Sequence, residues 1–389
     1  MNRYTLSDNT WDDKEIEALR NVIELGHFSM GEKVEEFEKQ FSEKFDVKYT
    51  VMSNSGSSAN LLAIAALIYS KNLNAGDEVI VPAVSWSTTY FPLAQHNLKL
   101  KFVDIDFETL NLDTHQVEAA ITSRTRAIFA VNLLGNPNKF DVLKKICAKY
   151  NLILIEDNCE SMGAQYMGKK LGTIGELGTF STFYSHHLCT MEGGLTVTNN
   201  EELYHYMLSI RAHGWTRNLP SHSKIYQKKA DSFYESFNFI MPGYNLRPLE
   251  MEGALGIEQL KKLDKIILQR QKNAEYFKSK ISEIEGYKIQ SEVEKSSWFG
   301  FAIILVNENK GRRSELVKYL NKNNIDVRPV VAGNFARNRA IDYLDYNVHN
   351  TLMNADYIHD HAFFVGNHSR NIERHIDLLI KCLKEFNNA

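Results

Sequence analysis

Apolar residues follow two rhythms along this chain, and the change between them falls near residue 200. Before that point, short β-branched runs alternate with stretches at helical spacing. Residues 49–52, 78–81, 101–103, 127–131, 152–155, 178–183 and 195–198 read as strands, and 57–68, 114–121 and 141–150 as helices between them. Strands that alternate with helices imply βαβ units and a mostly parallel sheet covered on both faces. Beyond residue 200 the pattern turns helical. Helices are expected over 201–213, 248–280, 314–324 and 370–386, with one strong strand at 297–306. Ile257, Leu260, Leu263 and Ile267 set the spacing of the long helix. Residues 219–244 are polar and irregular, and a loop of that length is usually functional or disordered. The expected organisation is a large α/β domain with a seven-stranded, mostly parallel sheet over residues 1–245, and a smaller α+β domain over 246–389.

Composition narrows the function. A chain of 389 residues holds two or three domains at about 150 residues each. A hydrophobic fraction of 43% supplies a core, which excludes general disorder. The formal net charge of −3 gives no basic excess to attract nucleic acid or an anionic membrane. The longest apolar run, 61–69, is nine residues, about half of the ~18 that a spanning helix needs. The first eight residues lack the apolar stretch of a signal peptide. Cys147, Cys159, Cys189 and Cys382 form no C-x-x-C pair and no disulfide scaffold, so a reducing cytoplasm is expected.

Five short segments carry candidate chemistry. Ser53-Asn54-Ser55-Gly56-Ser57-Ser58-Ala59-Asn60 lies between a strand and a helix, where it reads either as an anion-binding turn or as an ordinary helix cap. Glu156-Asp157-Asn158-Cys159-Glu160 lies at the carboxyl end of an apolar strand, where open α/β sheets bind ligands. A carboxylate there can pair with a protonated ring nitrogen, or simply cap the next segment. Trp86, after another strand end, suits stacking on a planar ring, although filling core is the commoner place for a lone aromatic. His186 and His187 follow a strand and precede Glu192-Gly193-Gly194. Adjacent side chains diverge and no partner pair follows at ligand spacing, so zinc is a weak reading and no metal is expected. Gly243-Tyr244-Asn245-Leu246-Arg247 precedes the long helix. Arg217 and Arg328 are loop arginines whose guanidinium forks suit a diphosphate.

In order and spacing, these segments resemble the sugar aminotransferase (DegT/DnrJ/StrS) family of fold-type I pyridoxal-phosphate enzymes, from about residue 27 to the end of the chain. The resemblance implies a pyridoxal phosphate (PLP) or pyridoxamine phosphate (PMP) cofactor. Gly56, Ser57 and Ser181 would lie at its phosphate, Asp157 at its ring nitrogen, and Trp86 on its ring. Glu160 would support the cofactor or the base, and Asn245 would reach across from the other subunit of a homodimer. Arg217 and Arg328 would hold the nucleotide diphosphate.

One departure from the family is decisive. Its Schiff-base lysine stands six residues before the Glu of Glu-Gly-Gly, and in this chain that position is His186. Imidazole cannot form the covalent link, so the cofactor would be held non-covalently. His186 would act as general acid and base. Lys169 and Lys170 do not fit the lysine's place.

The replacement resembles the 3-dehydratase branch of the family. It implies loss of the C3 hydroxyl from a GDP-linked 4-keto-6-deoxy sugar, a hexose or a heptose, with L-glutamate restoring the amine form of the cofactor. Nucleotide-sugar 4-amination is the alternative. A sister dehydratase carries a two-iron, two-sulfur cluster fed by a reductase. The scattered cysteines predict neither cluster nor reductase here.

Overall fold

The computed structural model describes residues 3–388. Residues 1, 2 and 389, which begin the N-terminal segment and bound the expected domains, lie outside the described residues. All seven expected strands form one sheet. The order across it is Tyr49–Ser53, Gly194–Thr198, Leu177–Ser181, Ile153–Asp157, Thr125–Val131, Glu78–Pro82 and Lys99–Val103. Gly194–Thr198 runs antiparallel to both of its neighbours, and the remaining pairs are parallel. Tyr346–Val348 adds an eighth strand beside Lys99–Val103. A Tyr-Asn-Val strand of three residues is too short for its alternation to stand out, so the pattern did not reveal it.

The strands are buried on both faces, as their unbroken Val, Ile and Phe runs require. Helix Gly56–Tyr69 is apolar all round, and Leu62 through Leu67 are fully buried. It packs between the sheet and helices Ser87–Gln95 and Glu201–Arg211.

Two N-terminal helices went unread in the pattern because their faces are crowded with Glu and Lys. Asp13–Leu25 starts at a capping box, in which Asp12 and Glu15 each take up the other's backbone N–H. Glu32–Phe45 turns Val34, Phe37, Phe41 and Phe45 toward the long helix Glu250–Ile281. Gly256 permits that contact, since a Cβ there would lie 2.5 Å from the Phe37 ring.

The long helix serves two cores. Ile257, Leu260, Leu263 and Ile267 pack with the N-terminal helix and the sheet edge. Ala274, Phe277 and Ile281 enter a second core beneath an antiparallel sheet of Tyr287–Ile289, Gly300–Leu305 and Ala362–Gly366. There Phe277 stacks on Phe301 at 4.4 Å. The strand expected from residue 297 begins only at Gly300, because Trp298 turns left-handed at φ +48°. The expected irregular stretch 219–244 holds one short helix, Ser232–Glu235.

A buried ion pair fixes the edge of the sheet next to the Ser/Gly turn. Arg211 donates to Glu38 and to the Met52 carbonyl, and Glu38 accepts the Met52 N–H at 2.7 Å. Arg211 is 3% exposed and Glu38 8%. Burial pushes the Glu38 carboxyl up, and Arg211 opposes the shift. Arg211→Met strands that carboxylate and is expected to cost about 3–5 kcal/mol in urea unfolding. The double variant Glu38→Leu/Arg211→Met recovers most of the loss.

Candidate active site

The carboxyl ends of the central strands converge on Asp157, the last residue of Ile153–Asp157. One carboxylate oxygen accepts Asn60 Nδ2 at 2.9 Å and Thr89 Oγ1 at 2.8 Å. The other accepts the Cys159 N–H at 3.1 Å. A carboxylate offers about four acceptor positions, so one remains on the oxygen that faces Cys159. Asn60 is itself fixed by the Thr179 hydroxyl at 2.6 Å, and Thr89 exchanges a hydrogen bond with Ser85. Asn60 and Thr89 were not singled out in the sequence. Each closes a segment that the sequence picks out, on the first turns of the helix there, but nothing in residue type gave it a role.

The three acidic residues of the strand end have separate fates. Glu156 turns into the core and accepts the backbone N–H groups of Gly172, Ile174 and Gly175, fixing that loop. Burial pushes its carboxyl up to about 7 despite those donors. Glu160 accepts the Leu134 N–H at 2.9 Å. Burial pushes its carboxyl up to about 7, the Leu134 N–H opposes the shift, and Asp157 adds to it. Cys159 lies between them, its thiol pushed well up by burial and by Asp157.

The Ser/Gly turn meets this group through Gly56. A Cβ on Gly56 would lie 2.6 Å from Ser181 Cβ and 3.1 Å from Cys159 Sγ. Ser55 takes up the Ser58 N–H as the helix cap, and the Ser55 carbonyl takes the Ala59 N–H. The N–H groups of Gly56 and Ser57 therefore stand outside the helix ladder, beside the Ser181 hydroxyl. Gly194 of the Glu-Gly-Gly segment passes under the turn, where a Cβ would lie 2.1 Å from the Ser55 carbonyl oxygen.

His186 lies past the end of Leu177–Ser181, partly buried between aromatic rings. Phe183 is 5.9 Å from it and Phe299 is 5.1 Å, centroid to centroid. Its Nδ1 is buried without a partner. Burial first, and then the Arg270 guanidinium, push its pKa down to about 4, so the imidazole is neutral at pH 7. His187 is fully buried, with Nε2 at 3.1 Å from the Ser297 carbonyl oxygen, and belongs to the packing. Lys170 bonds the Lys44 carbonyl on helix Glu32–Phe45, so its amine is committed elsewhere. Among the described residues, no group of three His, Cys, Asp or Glu could hold a metal.

The remaining candidates lie further out. Trp86 begins helix Ser87–Gln95 with its indole 58% exposed, so it does not fill core. Asn245 is exposed and accepts Arg247 Nε, while the neighbouring Leu246 carbonyl takes the Asn54 N–H. Arg217 lies over the Trp215 ring at 5.9 Å and lines a groove of about 940 Å³ with Glu38, Tyr49 and Arg211. Arg328 is exposed, and its backbone pairs with Phe364, whose ring lies 6.5 Å from Phe299.

Residues 9–384 match the DegT/DnrJ/EryC1/StrS aminotransferase family. The chain is 53% identical to GDP-4-keto-6-deoxy-D-mannose 3-dehydratase of Escherichia coli O55:H7, over 99% of this chain and 100% of the relative. It superposes at a TM-score of 0.96 and 52% identity on a GDP-4-keto-6-deoxymannose-3-dehydratase crystallised with a trapped PLP-glutamate geminal diamine. That match covers 98% of this chain and 100% of the other. The same score, identity and coverage relate it to a histidine-to-asparagine variant of that dehydratase with bound GDP-perosamine.

The residues fit PLP. Asp157 keeps one acceptor position beyond its three protein donors, and the backbone at Gly56, which opens the helix, comes close to the Ser181 hydroxyl. Gly56→Ala is expected to cost about 1–3 kcal/mol through the Ser181 contact and to weaken PLP binding to the apoprotein, read by fluorescence titration. Glu160 supplies a pH signature. Its folded pKa of about 7 lies above the ordinary 4.5, so its contribution to stability is full below 4.5 and lost as pH rises through 7. In urea unfolding at about pH 5 and about pH 8, Glu160→Gln should lose less stability between the two than the wild type. An equal loss in both proteins removes Glu160 from this role.

Proposed function

The chain belongs to the DegT/DnrJ/EryC1/StrS aminotransferase family, and we propose that within it the chain is a PLP-dependent 3-dehydratase. Its substrate is GDP-4-keto-6-deoxy-D-mannose and its product GDP-4-keto-3,6-dideoxy-D-mannose, with L-glutamate restoring the amine form of the cofactor. The observation that carries this reading is a neutral histidine, His186, standing where the family keeps its lysine, beside an otherwise complete cofactor cradle. When bound, PMP supplies the amine that condenses with the C4 ketone and the conjugated ring that takes up an electron pair.

Everything else falls to this chain's own residues. Asp157, oriented by Asn60 and Thr89, keeps a proton on the ring nitrogen. Gly56 and Ser57 N–H and the Ser181 hydroxyl hold the phosphate, and Trp86 covers the ring. Since Nδ1 of His186 is shut in, Nε2 exchanges the proton. With the cofactor bound, it would take one from the C4′ carbon and would give it to the departing C3 hydroxyl, which would leave as water. Burial favours the uncharged base before the reaction and returns the imidazolium to it afterwards.

Several finer points belong to the same proposal. The active unit is a homodimer, with Asn245 serving the partner's site and Arg217 and Arg328 holding the diphosphate. All three are exposed, which supports that reading. No reductase or iron–sulfur cluster takes part, because Cys147 and Cys382 belong to separate cores. The free cysteines support a cytoplasmic location for the reaction. No helix among the described residues is long and apolar enough to cross a membrane. We take residues 1–245 as the cofactor domain and 246–389 as the cap, joined through the long helix.

The test incubates the holoenzyme with GDP-4-keto-6-deoxymannose and glutamate and follows products by mass spectrometry. The expected product is lighter by one oxygen atom. A 4-amino sugar instead overturns dehydration in favour of transamination, and preferential turnover of a GDP-4-keto-6-deoxyheptose changes the sugar. His186→Lys is expected to hold the cofactor against dialysis, with visible absorbance, and to lose dehydration. Dehydration at the wild-type rate in that variant rejects His186 as the acid/base.

A further inference from the structure

His186 has no protein hydrogen-bond partner at Nδ1, so its place depends on the rings that touch it. Phe183 is 41% exposed and is a weak restraint. Phe299 is the firmer wall, because its segment is bonded at every backbone polar group. The N–H groups of Ser297 and Phe299 donate to the carbonyls of Gly135 and Leu134, at 3.0 and 2.9 Å. The Trp298 N–H donates to Ser296 Oγ at 3.0 Å. The Ser297 carbonyl faces His187 Nε2, and the Trp298 carbonyl accepts Asn367 Nδ2 at 2.9 Å. The Phe299 carbonyl accepts Arg270 Nη1 at 3.0 Å. This bonding holds Trp298 in a left-handed conformation that a bulky residue otherwise avoids.

Arg270 is unusual in this set. It is 1% exposed, on the long helix, and the same Nη1 also donates to the Asn367 carbonyl at 2.9 Å. No carboxylate lies within ion-pair distance of it among the described residues. Asp8 acts on it only from further off. Burial lowers its pKa to about 10, which leaves it charged at neutral pH. An unpaired guanidinium in a core is costly unless it has a task.

We propose that Arg270 is the positioning residue for His186: its guanidinium pins the Phe299 carbonyl, and so the ring against which the imidazole rests. The charge of the same group disfavours protonation of that imidazole. The charged and titratable groups beside His186 are Arg270 from the long helix and His187 from its own segment, and Phe183 and Phe299 are uncharged. The catalytic half of this proposal rests on the dehydratase reading above, and the titration half does not.

Two variants separate pinning from charge. Arg270→Lys keeps the charge and loses the fork, and Arg270→Met loses both. In the apoprotein, with the His186 resonance assigned by its absence from His186→Asn, NMR titration should show His186 near 4 in wild type. In Arg270→Met it should titrate closer to the ordinary 6.5 without reaching it, since burial is the larger cause. Arg270→Lys should leave the titration low but reduce kcat roughly tenfold or more through misplacement, with little change in KM. Phe299→Leu, which leaves Arg270 in place, should reproduce the kcat loss and serves if the Arg270 variants do not fold. A His186 titration unchanged in Arg270→Met, or wild-type kcat in both Arg270→Lys and Phe299→Leu, overturns the proposal. Absence of dehydration by the wild type defeats the functional reading alone, because the titration result stands independently.

Discussion

A carboxylate only 5% exposed at a strand end has to be met by donors, and the way Asp157 is met organises this molecule. Its donors come from three segments. Asn60 stands on the helix whose first turn is the Ser/Gly turn, Thr89 on the helix that Trp86 begins, and the Cys159 N–H on the loop after the strand itself. Satisfying one buried charge therefore places an anion-binding turn, an aromatic face and an acidic loop at fixed distances. The site is a consequence of making a carboxylate tolerable inside an α/β sheet.

The second half of the site comes from elsewhere in the chain. The loop Leu133–Gly135 accepts the N–H groups of Ser297 and Phe299, and Glu160 accepts the Leu134 N–H. Gly135 permits that approach, because a Cβ there would lie 2.6 Å from the Trp298 nitrogen. A continuous bonded path thus runs from Asp157 and its loop to the ring that touches His186. Asp157 and His186 are set relative to one another through a path of backbone hydrogen bonds closed by the Glu160 carboxyl.

Much of this was legible beforehand. The seven strands of the sheet followed from apolar runs because both faces are buried, which leaves an unbroken signal. The turn at Gly56, Asp157, Ser181 and His186 was legible because each lies at the end of such a strand, where a short polar segment stands out. The helices 13–25 and 32–45 were hidden by surface charge, and the strand 346–348 by its length. Asn60, Thr89 and Arg270 were hidden for a different reason. Each sits inside a helix among neighbours of ordinary composition, and its importance lies in what it touches.

The amino-acid sequence alone determined the fold class, the order of the cofactor segments and the substitution of histidine for lysine, because these depend on residue identity and local spacing. Residue types and spacing did not separate the three strand-end acids, and the family resemblance alone singled out Asp157. Only the tertiary structure sent Glu156 into a loop, Asp157 to the Asn60 and Thr89 donors and Glu160 to the Leu134 N–H. Nor could the sequence show that His186 is neutral. That follows from burial and from a guanidinium 84 positions later in the chain, and low-dielectric electrostatics depends on distance in space.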